Sequence, residues 1–534
     1  MWESLRSVLI IVFAFGILIA DGAPQNVSTE EWLKNSVSKA SSLRLHVKLT
    51  TKNMKIHGQS AFDVFANPVV SDDHTNVHYD GFTSFVEGDS TYSYMFVGGR
   101  SYMVESTTNG NTSKPVRCLP SVIPFEQILP ALSNATAIPS ARVGGKPIVC
   151  PSGSLFKTSF GSVDFVLCAS NASGFTAYGL EVQLTAEFLP SPIRNTLLTF
   201  SDTSCPVVAT PSQVTPTAVA LLTGEPIPAS MSRNLKEAFS IEIGEKPCEC
   251  KSSPRPCIFL HGLGNPNERT ELQNTPKLTK EKFGDIGAHA PCCTTTKYAV
   301  LNTNDYGWTS DTLQQKFCKF SLSMSKSSDL SSRTISNTIV VTHSMGGVVM
   351  AGALATGKCK FADSTTWVSL SAPMKGSMAG DYSQDLCDDE ITSIGADLMD
   401  FIGQCPPTAA RKSISYEGGK YSNKDLNAAY KAAQEAYRTN VDAAMCSTSY
   451  DGVYSKFYPS CIVGGKMIPH KSSENDGLVE FQSCLGGLDP ELFGDSYESR
   501  FYKPELNHAD TAFLTHDSLF SDSRKPFKWF ECLL

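Results

Sequence analysis

The fold is decided by residues 338–347, which have the sequence TIVVTHSMGG. An apolar run at 339–341 precedes Ser344, and the apolar residues 348–351 that follow the two glycines favour a helix. This order predicts a buried strand, a sharp turn and a helix, with the serine at the turn. A serine in that place has an exposed hydroxyl and a strained backbone, and the helix N-terminus beneath it favours developing negative charge. The stretch therefore indicates the nucleophile of a serine hydrolase.

One position departs from the usual nucleophile pattern, G-x-S-x-G. The residues two before and two after the serine must be small, because the strand and the helix approach closely there. Gly346 satisfies this requirement, whereas Thr342 stands where glycine is usual. Threonine is small and β-branched, so it suits the end of a strand. From this stretch alone, two interpretations are therefore possible: a catalytic turn, or a plain Ser-Gly helix start.

A hydrolase of this type also needs an oxyanion hole, which precedes the serine in the chain. The apolar run 257–260 predicts a strand, and it ends in the glycine-rich residues 261–264. We expect the backbone amide of Leu263 to form the hole together with that of Met345, the residue after the serine. The alternative for residues 261–264 is an ordinary glycine-rich turn.

The acid and the base are expected after the serine, in that order. Asp476 follows the apolar run 461–463, a predicted strand, and precedes a glycine, so it is the predicted acid; a simple Asx-Gly turn is the alternative. His508 follows the predicted strand 500–502 and is the predicted base.

Two further histidines are candidates for the base. His516 is the runner-up, because it lies inside the predicted last helical stretch, 511–516, where it would be aimed less reliably at the serine. His343 points away from the turn and is expected to be structural.

Five segments resemble motifs of lipases and esterases of the α/β-hydrolase superfamily: 259–262 (FLHG), 342–347 (THSMGG), 371–377 (SAPMKGS), 475–479 (NDGLV) and 507–510 (NHAD). The resemblance covers about residues 250–534 and implies a Ser344–His508–Asp476 triad that acts through an acyl-enzyme. In some bacterial lipases the aspartate after the histidine binds calcium. For Asp510 an N-cap of the following helix is favoured over calcium, and no metal or cofactor is expected.

Composition limits the classes of protein to consider. The chain has 534 residues, a formal net charge of −8 and a pI near 5.7, which argue against nucleic acid as a partner. Residues 1–22 predict a secretory signal peptide, so the protein is expected to be secreted or to lie in the lumen of the secretory pathway. Sequons at Asn26, Asn111, Asn134 and Asn171 are available for glycosylation.

Cysteine usage agrees with an oxidising compartment. Of 17 cysteines, four precede residue 240, so pairing within domains would leave one cysteine over in the second half. Disulfides are favoured over zinc, because the close spacings at 248–250 and 292–293 lack paired C-x-x-C geometry.

The chain divides by pattern into two domains. Residues 23–205 predict an antiparallel all-β domain, with alternating polarity at 43–50 and a hairpin turn at Gly98-Gly99. An ordinary sandwich core is favoured for it over a lipid-holding half-barrel. Residues 206–240 predict a Pro-rich linker, and the short apolar strands of 241–534 predict an α/β-hydrolase domain with a mostly parallel sheet.

A cap or lid is expected over residues 378–459, including a helix at 425–445. One face of this helix is moderately apolar, and packing on the domain is an equal alternative for it.

These observations predict a secreted hydrolase of carboxylic esters, lipids included, that makes transient contact with lipid surfaces. Protein partners are not predicted. An acyltransferase or thioesterase with the same triad, and a non-catalytic binding or adhesion protein on a hydrolase fold, are the alternatives.

Overall fold

The structure is a computed structural model that describes residues 35–50, 55–72, 74, 76–107, 116–118, 128–150, 154–160, 163–169, 174–193, 205–207, 212–225, 241–243, 248–279, 281–388, 405–453, 455–518 and 521–534. The predicted signal peptide and the sequons at Asn26, Asn111 and Asn171 lie outside these residues. Asn134 is exposed, as a glycosylation acceptor must be, and its modification stays a prediction.

The first domain is built around one antiparallel sheet of twelve strands. Its order is β6-β5-β4-β3-β2-β1-β13-β12-β11-β10-β7, with β14 paired to β3. A small sheet, β15-β8-β9, lies beside it. The strands are β1 Ser42–Leu49, β2 Ala61–Val70, β3 Asn76–Glu87, β4 Ser90–Val97, β5 Arg100–Thr107, β6 Arg117–Cys118, β7 Thr136–Ile138, β8 Ala141–Val143, β9 Lys146–Pro147, β10 Ser154–Phe160, β11 Val163–Ala169, β12 Gly174–Tyr178, β13 Val182–Leu189, β14 Ser212–Gln213 and β15 Ile241–Ile243.

The antiparallel prediction and the hairpin at Gly98-Gly99 are confirmed, but the sandwich prediction is wrong. Within the described residues, two short helices rather than a second large sheet cover the core face: α1 (Ile128–Ser133) and α2 (Pro216–Thr223). Helix α2 buries Val219, Leu221 and Leu222 in the core of this domain. Alternating polarity establishes one buried face, and it does not say whether a sheet or a helix covers that face.

The predicted linker, 206–240, therefore needs correction. Its proline- and alanine-rich part supplies β14 and α2, where Pro216 begins the helix and Thr215 caps it. Strand β15, expected in the second domain, pairs in parallel with β8 of the first. Residues 212–225 and 241–243 thus belong with the β domain. The remaining domain boundaries stay predictions.

The second domain contains a seven-stranded sheet in which every pair of neighbours is parallel. Its order is β17-β16-β19-β21-β22-β24-β23, and β18 and β20 form a separate pair. The strands are β16 Arg255–Leu260, β17 Cys293–Tyr298, β18 Thr334–Ile335, β19 Ile339–His343, β20 Lys360–Phe361, β21 Thr366–Leu370, β22 Ala443–Met445, β23 Phe493–Gly494 and β24 Phe501–Tyr502. Strands β19 and β21 are buried along their whole length, as a sheet covered on both faces requires. The predicted fold class, an antiparallel all-β domain followed by an α/β domain with a mostly parallel sheet, is confirmed at this level; the assignment of the second domain as an α/β-hydrolase stays a prediction.

Helices lie on both faces of this sheet. They are α3 Asp311–Leu322, α4 Met345–Ala355, α5 Met378–Asp388, α6 Ala409–Ser413, α7 Lys424–Asn440, α8 Tyr458–Met467, α9 Phe481–Leu485 and α10 Pro526–Leu533. Short 3₁₀ turns occur at Pro276–Thr279, Pro490–Leu492, Asp510–Ala512 and Asp522–Arg524. Helices α3, α4 and α7 pack on one face of the parallel sheet in a shared apolar cluster. Helix α10 packs on the other face in a second cluster.

Two secondary-structure predictions in this domain are wrong. Residues 461–463, expected as a strand, lie within helix α8, which has a proline in its first turn. The sheet strand at this point in the fold is β22, which had been assigned to the end of a helix. A short apolar run is compatible with either state, and flanking residues decide between them. The expected helix 511–516 is only a 3₁₀ turn, which ends at Phe513 with a positive φ of 59°.

Helix α7 is a core crossover rather than a lid. Tyr430, Ala433 and Tyr437 are fully buried. The Tyr430 ring packs against Trp308, and the Tyr437 ring packs against Trp367. The helix connects β21 to its neighbour β22, the position that a parallel sheet gives to a crossover helix. The expected cap of 378–459 is therefore too long, since residues 424–445 belong to the core. A cap role for residues 378–423 stays a prediction.

Eight disulfides are formed, and each lies within one domain: Cys118–Cys205, Cys150–Cys168, Cys248–Cys532, Cys250–Cys292, Cys257–Cys293, Cys318–Cys359, Cys387–Cys405 and Cys446–Cys484. Cys461 is left as a buried free thiol, so the expectation of one unpaired cysteine in the second half is confirmed. This number of disulfides indicates an oxidising environment. In the part of the chain that the structure describes, every helix is too short or too polar to cross a bilayer.

The two domains meet at helix α8. Phe85, Tyr94 and Met103 of the β domain form one apolar cluster with Tyr458 of this helix, and Ile462 packs against it. On its other side α8 approaches the loop of Asp476: a Cβ placed on Gly477 would lie 2.9 Å from the Cys461 carbonyl oxygen. The β domain therefore supports a helix that lies directly under the predicted acid.

Candidate active site

Ser344 occupies a strained turn between strand β19 and helix α4. Its backbone has φ 55° and ψ −134°, a combination that a residue with a side chain rarely adopts. Conformations of this kind cost about 1–3 kcal/mol and persist where the surrounding packing enforces them. Here the strand is fully buried, and helix α4 begins at the next residue, Met345.

Two glycines allow the turn to be this tight. A Cβ on Gly346 would lie 2.7 Å from the carbonyl oxygens of both Leu260 and His261, so only glycine fits there. A Cβ on Gly262 would lie 2.5 Å from the Ser344 Cβ and 3.0 Å from its Oγ. The glycine-rich loop after β16 therefore lies in contact with the serine side chain.

The threonine that replaces the usual glycine has a definite partner. Thr342 is fully buried, and its Oγ1 accepts a hydrogen bond of 3.0 Å from the indole nitrogen of Trp367 on the neighbouring strand β21. The threonine hydroxyl thus satisfies a buried donor, which glycine could not do. The residue that departs from the G-x-S-x-G pattern is therefore the acceptor of a buried hydrogen bond from Trp367.

His508 and Asp476 form a buried pair. The His508 Nδ1 lies 2.8 Å from the Asp476 Oδ2, and the two side chains are 9% and 2% exposed. The other carboxylate oxygen, Oδ1, accepts the amide hydrogens of Leu478 at 3.0 Å and Val479 at 2.8 Å. Burial alone would raise the pKa of Asp476, but the charge and hydrogen bond of His508, with these two amides, outweigh it and lower the pKa.

His343 joins the serine turn to the loop of His508. Its Nε2 donates to the carbonyl oxygen of His508 at 3.1 Å, and the centroids of the two rings are 4.6 Å apart. Burial, followed by the positive charge of His508, holds the pKa of His343 well below its usual value, so the ring stays neutral. The structural role expected for His343 agrees with this geometry. Because His343 precedes Ser344, this contact places the base loop beside the serine.

The loop that carries Leu263 is held by a network of buried hydrogen bonds. Thr303 Oγ1 donates to the Gly262 carbonyl at 2.8 Å and accepts the Asn265 amide at 3.1 Å. The His261 Nε2 accepts the Leu301 amide at 3.2 Å, while Nδ1 donates to the Gly262 carbonyl at 2.9 Å. This pattern requires the neutral ring, and burial lowers the pKa of His261 to about 4. The loop is therefore fixed before any ligand binds.

The two predicted oxyanion donors lie on either side of Ser344. Met345 is the first residue of helix α4, so its amide is one of the donors that a helix leaves free at its start. Leu263 follows Gly262, which touches the serine side chain. The structure thus brings both residues next to Ser344. Their catalytic role stays a proposal.

Asp510 does not cap a following helix, and that prediction is wrong. Its Oδ2 accepts the amides of Asn507 and Val453, each at 2.9 Å, and its Oδ1 accepts the Thr515 hydroxyl at 2.8 Å. The carboxyl thus joins residues on both sides of His508 to the backbone of Val453. Burial raises its pKa to about 7. Among the described residues, no group of three or more His, Cys, Asp or Glu side chains is placed to hold a metal ion.

His516, the runner-up base, lies near the other domain. Burial, with a smaller contribution from the charge of His57 in the β domain, lowers its pKa to about 4. No sequence pattern marks Thr303, Asn265 or Trp367, because each acts through a residue distant in the chain. Cys461 is fully buried, and burial raises the pKa of its thiol well above the usual value, which disfavours the reactive thiolate.

Comparisons with known proteins give only weak structural similarity. No protein-family model matches the chain, and no curated protein sequence matches it. The chain is similar to the crystal structure of a metagenomic carboxyl esterase, with 13% identity over 56% of this chain and 80% of that one, at a TM-score of 0.27. It is also similar to a prolyl endopeptidase structure, with 11% identity over 82% of this chain and 68% of that one, at a TM-score of 0.18. Scores this low carry no argument about function, which has to be made from the site.

Proposed function

We propose that the chain is a serine hydrolase that cleaves carboxylic esters through Ser344, His508 and Asp476. The observation that carries the proposal is the buried hydrogen bond of 2.8 Å between Asp476 and His508. The imidazole of His508 also packs against His343, the residue before the strained serine. A carboxylate that accepts the Nδ1 hydrogen leaves Nε2 as the base and fixes the tautomer that catalysis needs.

The reaction would proceed in two steps. His508 Nε2 takes the proton of Ser344 Oγ as the hydroxyl attacks the ester carbonyl, and Asp476 stabilises the imidazolium that forms. The oxyanion is stabilised by the amides of Leu263 and Met345. The imidazolium then protonates the leaving alcohol. Water, activated by the same histidine, releases the acid from the acyl-enzyme.

Labelling with a fluorophosphonate probe tests the nucleophile. We expect labelling of the full chain, and its loss in Ser344→Ala and His508→Ala. Ser371→Ala is a matched control, because Ser371 also has a positive φ, of 45°, yet its hydroxyl is buried and makes no hydrogen bond among the described residues. Labelling that survives Ser344→Ala in folded protein, or that is lost in Ser371→Ala alone, would contradict the proposal.

Esters are proposed over other acyl substrates because the site shows no feature that selects an amide. Thioester cleavage and acyl transfer use the same three residues. Product analysis with an ester and an alcohol acceptor separates them: release of free acid supports the hydrolase, and quantitative transfer to the alcohol identifies an acyltransferase. A correctly folded protein that neither labels nor turns over any ester would favour the binding or adhesion function.

We propose that the protein is secreted after cleavage before Ala23. Eight disulfides support an oxidising compartment. N-terminal sequencing of protein recovered from the medium of expressing cells tests this, and an intact Met1 on that protein would contradict it.

A further inference from the structure

Two cationic residues belong to segments that pack at the loop of the proposed oxyanion hole. The first is Lys282, whose Nζ and Cε lie 3.0 Å from the point where a Cβ on Gly264 would stand. Gly264 follows Leu263 directly and has a φ of 99°. The lysine side chain therefore covers the glycine next to the proposed oxyanion donor.

The backbone around Lys282 is fixed against the base loop. The Phe283 ring packs edge-on against the His343 ring, with centroids 5.9 Å apart. The Gly284 amide donates to the Ala512 carbonyl at 2.8 Å, and a Cβ on Gly284 would clash with Phe513. Lys282 thus lies between the oxyanion loop and the segment that follows His508.

The second cation, Arg411, belongs to helix α6. The Ala410 amide donates to the Asn304 carbonyl at 3.2 Å, and the Trp308 indole donates to the Ser413 carbonyl at 2.7 Å. These bonds hold α6 on residues 304–308, which directly follow Thr303, the residue bonded to Gly262. Helix α6 is thereby attached to the same oxyanion loop as Lys282.

No carboxylate of the described residues forms an ion pair with either cation. The nearest carboxylate in sequence, Glu281, is bound by Lys456, and among the described residues neither Lys282 nor Arg411 forms an ion pair or a side-chain hydrogen bond. Burial and then the charge of Arg411 lower the pKa of Lys282, and burial lowers that of Arg411. Two partly buried like charges that no described carboxylate binds repel each other and are costly to remove from water.

We propose that Lys282 and Arg411 form an anion subsite beside the oxyanion hole, and that the substrates are esters carrying a carboxylate or phosphate group. An ammonium and a guanidinium bind such groups by short, charge-assisted hydrogen bonds. An anion bound by both cations would offset their mutual repulsion. The substrate part of this inference rests on the proposed hydrolase function.

Matched ester pairs test the substrate class. The carboxylate arm compares 4-nitrophenyl hemiglutarate with 4-nitrophenyl valerate, and the phosphate arm compares 4-acetoxyphenyl phosphate with 4-methoxyphenyl acetate. We expect kcat/KM to favour the charged member of at least one pair about tenfold or more, and Lys282→Met and Arg411→Met each to reduce that preference about tenfold. The pair in which kcat/KM favours the charged ester shows whether the subsite binds a carboxylate or a phosphate.

The exposed residue Lys319 provides a control for net charge. Lys319→Met also removes one positive charge and should leave the preference unchanged. The conservative variants Lys282→Arg and Arg411→Lys should retain most of it. Equal kcat/KM for the charged and neutral members of both pairs, or a preference that survives in Lys282→Met and Arg411→Met, would overturn the subsite.

Binding to the inactive variant Ser344→Ala separates this inference from the proposed function. We expect inorganic phosphate or glutarate to raise its thermal midpoint, and this shift to disappear when Lys282→Met and Arg411→Met are added. An equal shift with and without the two cations would be a general salt effect and would refute the subsite. A cation-dependent shift in a protein whose Ser344 does not label would refute the hydrolase alone.

Discussion

Each domain contains a histidine–aspartate pair with the same contact distance. In the second domain the His508 Nδ1 and the Asp476 Oδ2 are 2.8 Å apart, and in the first the His46 Nδ1 and the Asp63 Oδ1 are also 2.8 Å apart. The side chains of His508 and Asp476 are 9% and 2% exposed, whereas those of His46 and Asp63 are 50% and 28% exposed. The contact is the same and the surroundings differ.

The difference shows that surroundings, rather than distance, make such a pair a candidate for catalysis. Asp63 lies on a strand of the β domain and also binds the exposed Arg44, so its carboxylate is shared among solvated partners. Asp476 is held by two backbone amides and directs its remaining oxygen to one imidazole. Exposed ion pairs contribute about 0–1 kcal/mol and do not fix a tautomer, whereas a buried carboxylate does.

The largest expected effect is that of Asp476→Asn. The amide side chain can no longer accept the Nδ1 hydrogen of His508, so the ring takes the wrong tautomer, and we expect kcat to fall about 10⁴-fold. Asp63→Asn is the matched change in the exposed pair and should leave kcat unchanged. Steady-state kinetics on a neutral ester, with circular dichroism to verify folding, measures both. A similar loss in the two variants would show that the buried pair has no special role.

A second difference concerns pH, since His261 is buried in the oxyanion loop while His46 is half exposed. The folded pKa of His261, about 4, lies below the ordinary 6.5, so between these values the unfolded chain binds more protons. Its contribution to stability is complete above pH 6.5 and is lost as the pH falls through 4. The full loss is about 3 kcal/mol.

Urea unfolding of the wild type and His261→Gln between pH 4 and 7 measures this contribution. The variant should be less stable than the wild type at pH 7, because the Leu301 amide loses the well-placed acceptor that His261 Nε2 provides. The difference in the free energy of unfolding between the two proteins should shrink toward pH 4. Parallel stability curves would contradict the assignment of a neutral, buried His261.

The third prediction compares two glycines. Gly262 has no room, since a Cβ would lie 2.5 Å from the Ser344 Cβ, whereas Gly98 has a φ of 55° but nothing within 4 Å of its Cβ position. Gly262→Ala should displace the serine and lower kcat about 100-fold. Gly98→Ala should cost about 1 kcal/mol of stability through backbone strain and leave kcat unchanged. Unchanged kcat in Gly262→Ala would show that the oxyanion loop and the serine are not in contact.

The same contrast explains how much the sequence predicted. Residues 339–341 and 367–370 were correctly predicted as buried strands, because a parallel sheet covered on both faces needs continuous apolar runs. The order of the loops that carry Leu263, Ser344 and His508 was also apparent, since each of these loops follows a strand. Asp476 was indicated by the glycine after it, although the segment predicted as a strand before it is helix α8. That these loops lie close together in the folded protein was inferred only from the resemblance to hydrolases.

The errors arose where the local pattern is compatible with two structures. Residues 461–463 are apolar enough for a strand, yet the preceding proline and the glycines that follow accompany helix α8. Helix α2 lay inside a stretch whose prolines indicated a linker, but Pro216 stands in the first turn, where proline favours a helix. Lys282 and Arg411 gave no signal at all, because only folding brings residues 129 positions apart to the same loop.

The smallest expected effect concerns two threonine hydroxyls. Thr342 Oγ1 accepts the Trp367 indole hydrogen in the fully buried strand of the nucleophile turn, while Thr50 Oγ1 donates to the Leu180 carbonyl on the exposed surface of the β domain. Thr342→Val keeps the volume but leaves the indole donor unpaired, so the free energy of unfolding should fall by about 2 kcal/mol. Thr50→Val should change it by less than about 0.5 kcal/mol, because water replaces the lost bond. Urea unfolding measures both, and Thr342→Ser, which keeps the hydroxyl, should recover part of the loss. If Thr342→Val were as stable as the wild type, the threonine would be a tolerated small residue at the turn, and Trp367 would not be the reason that it replaces glycine.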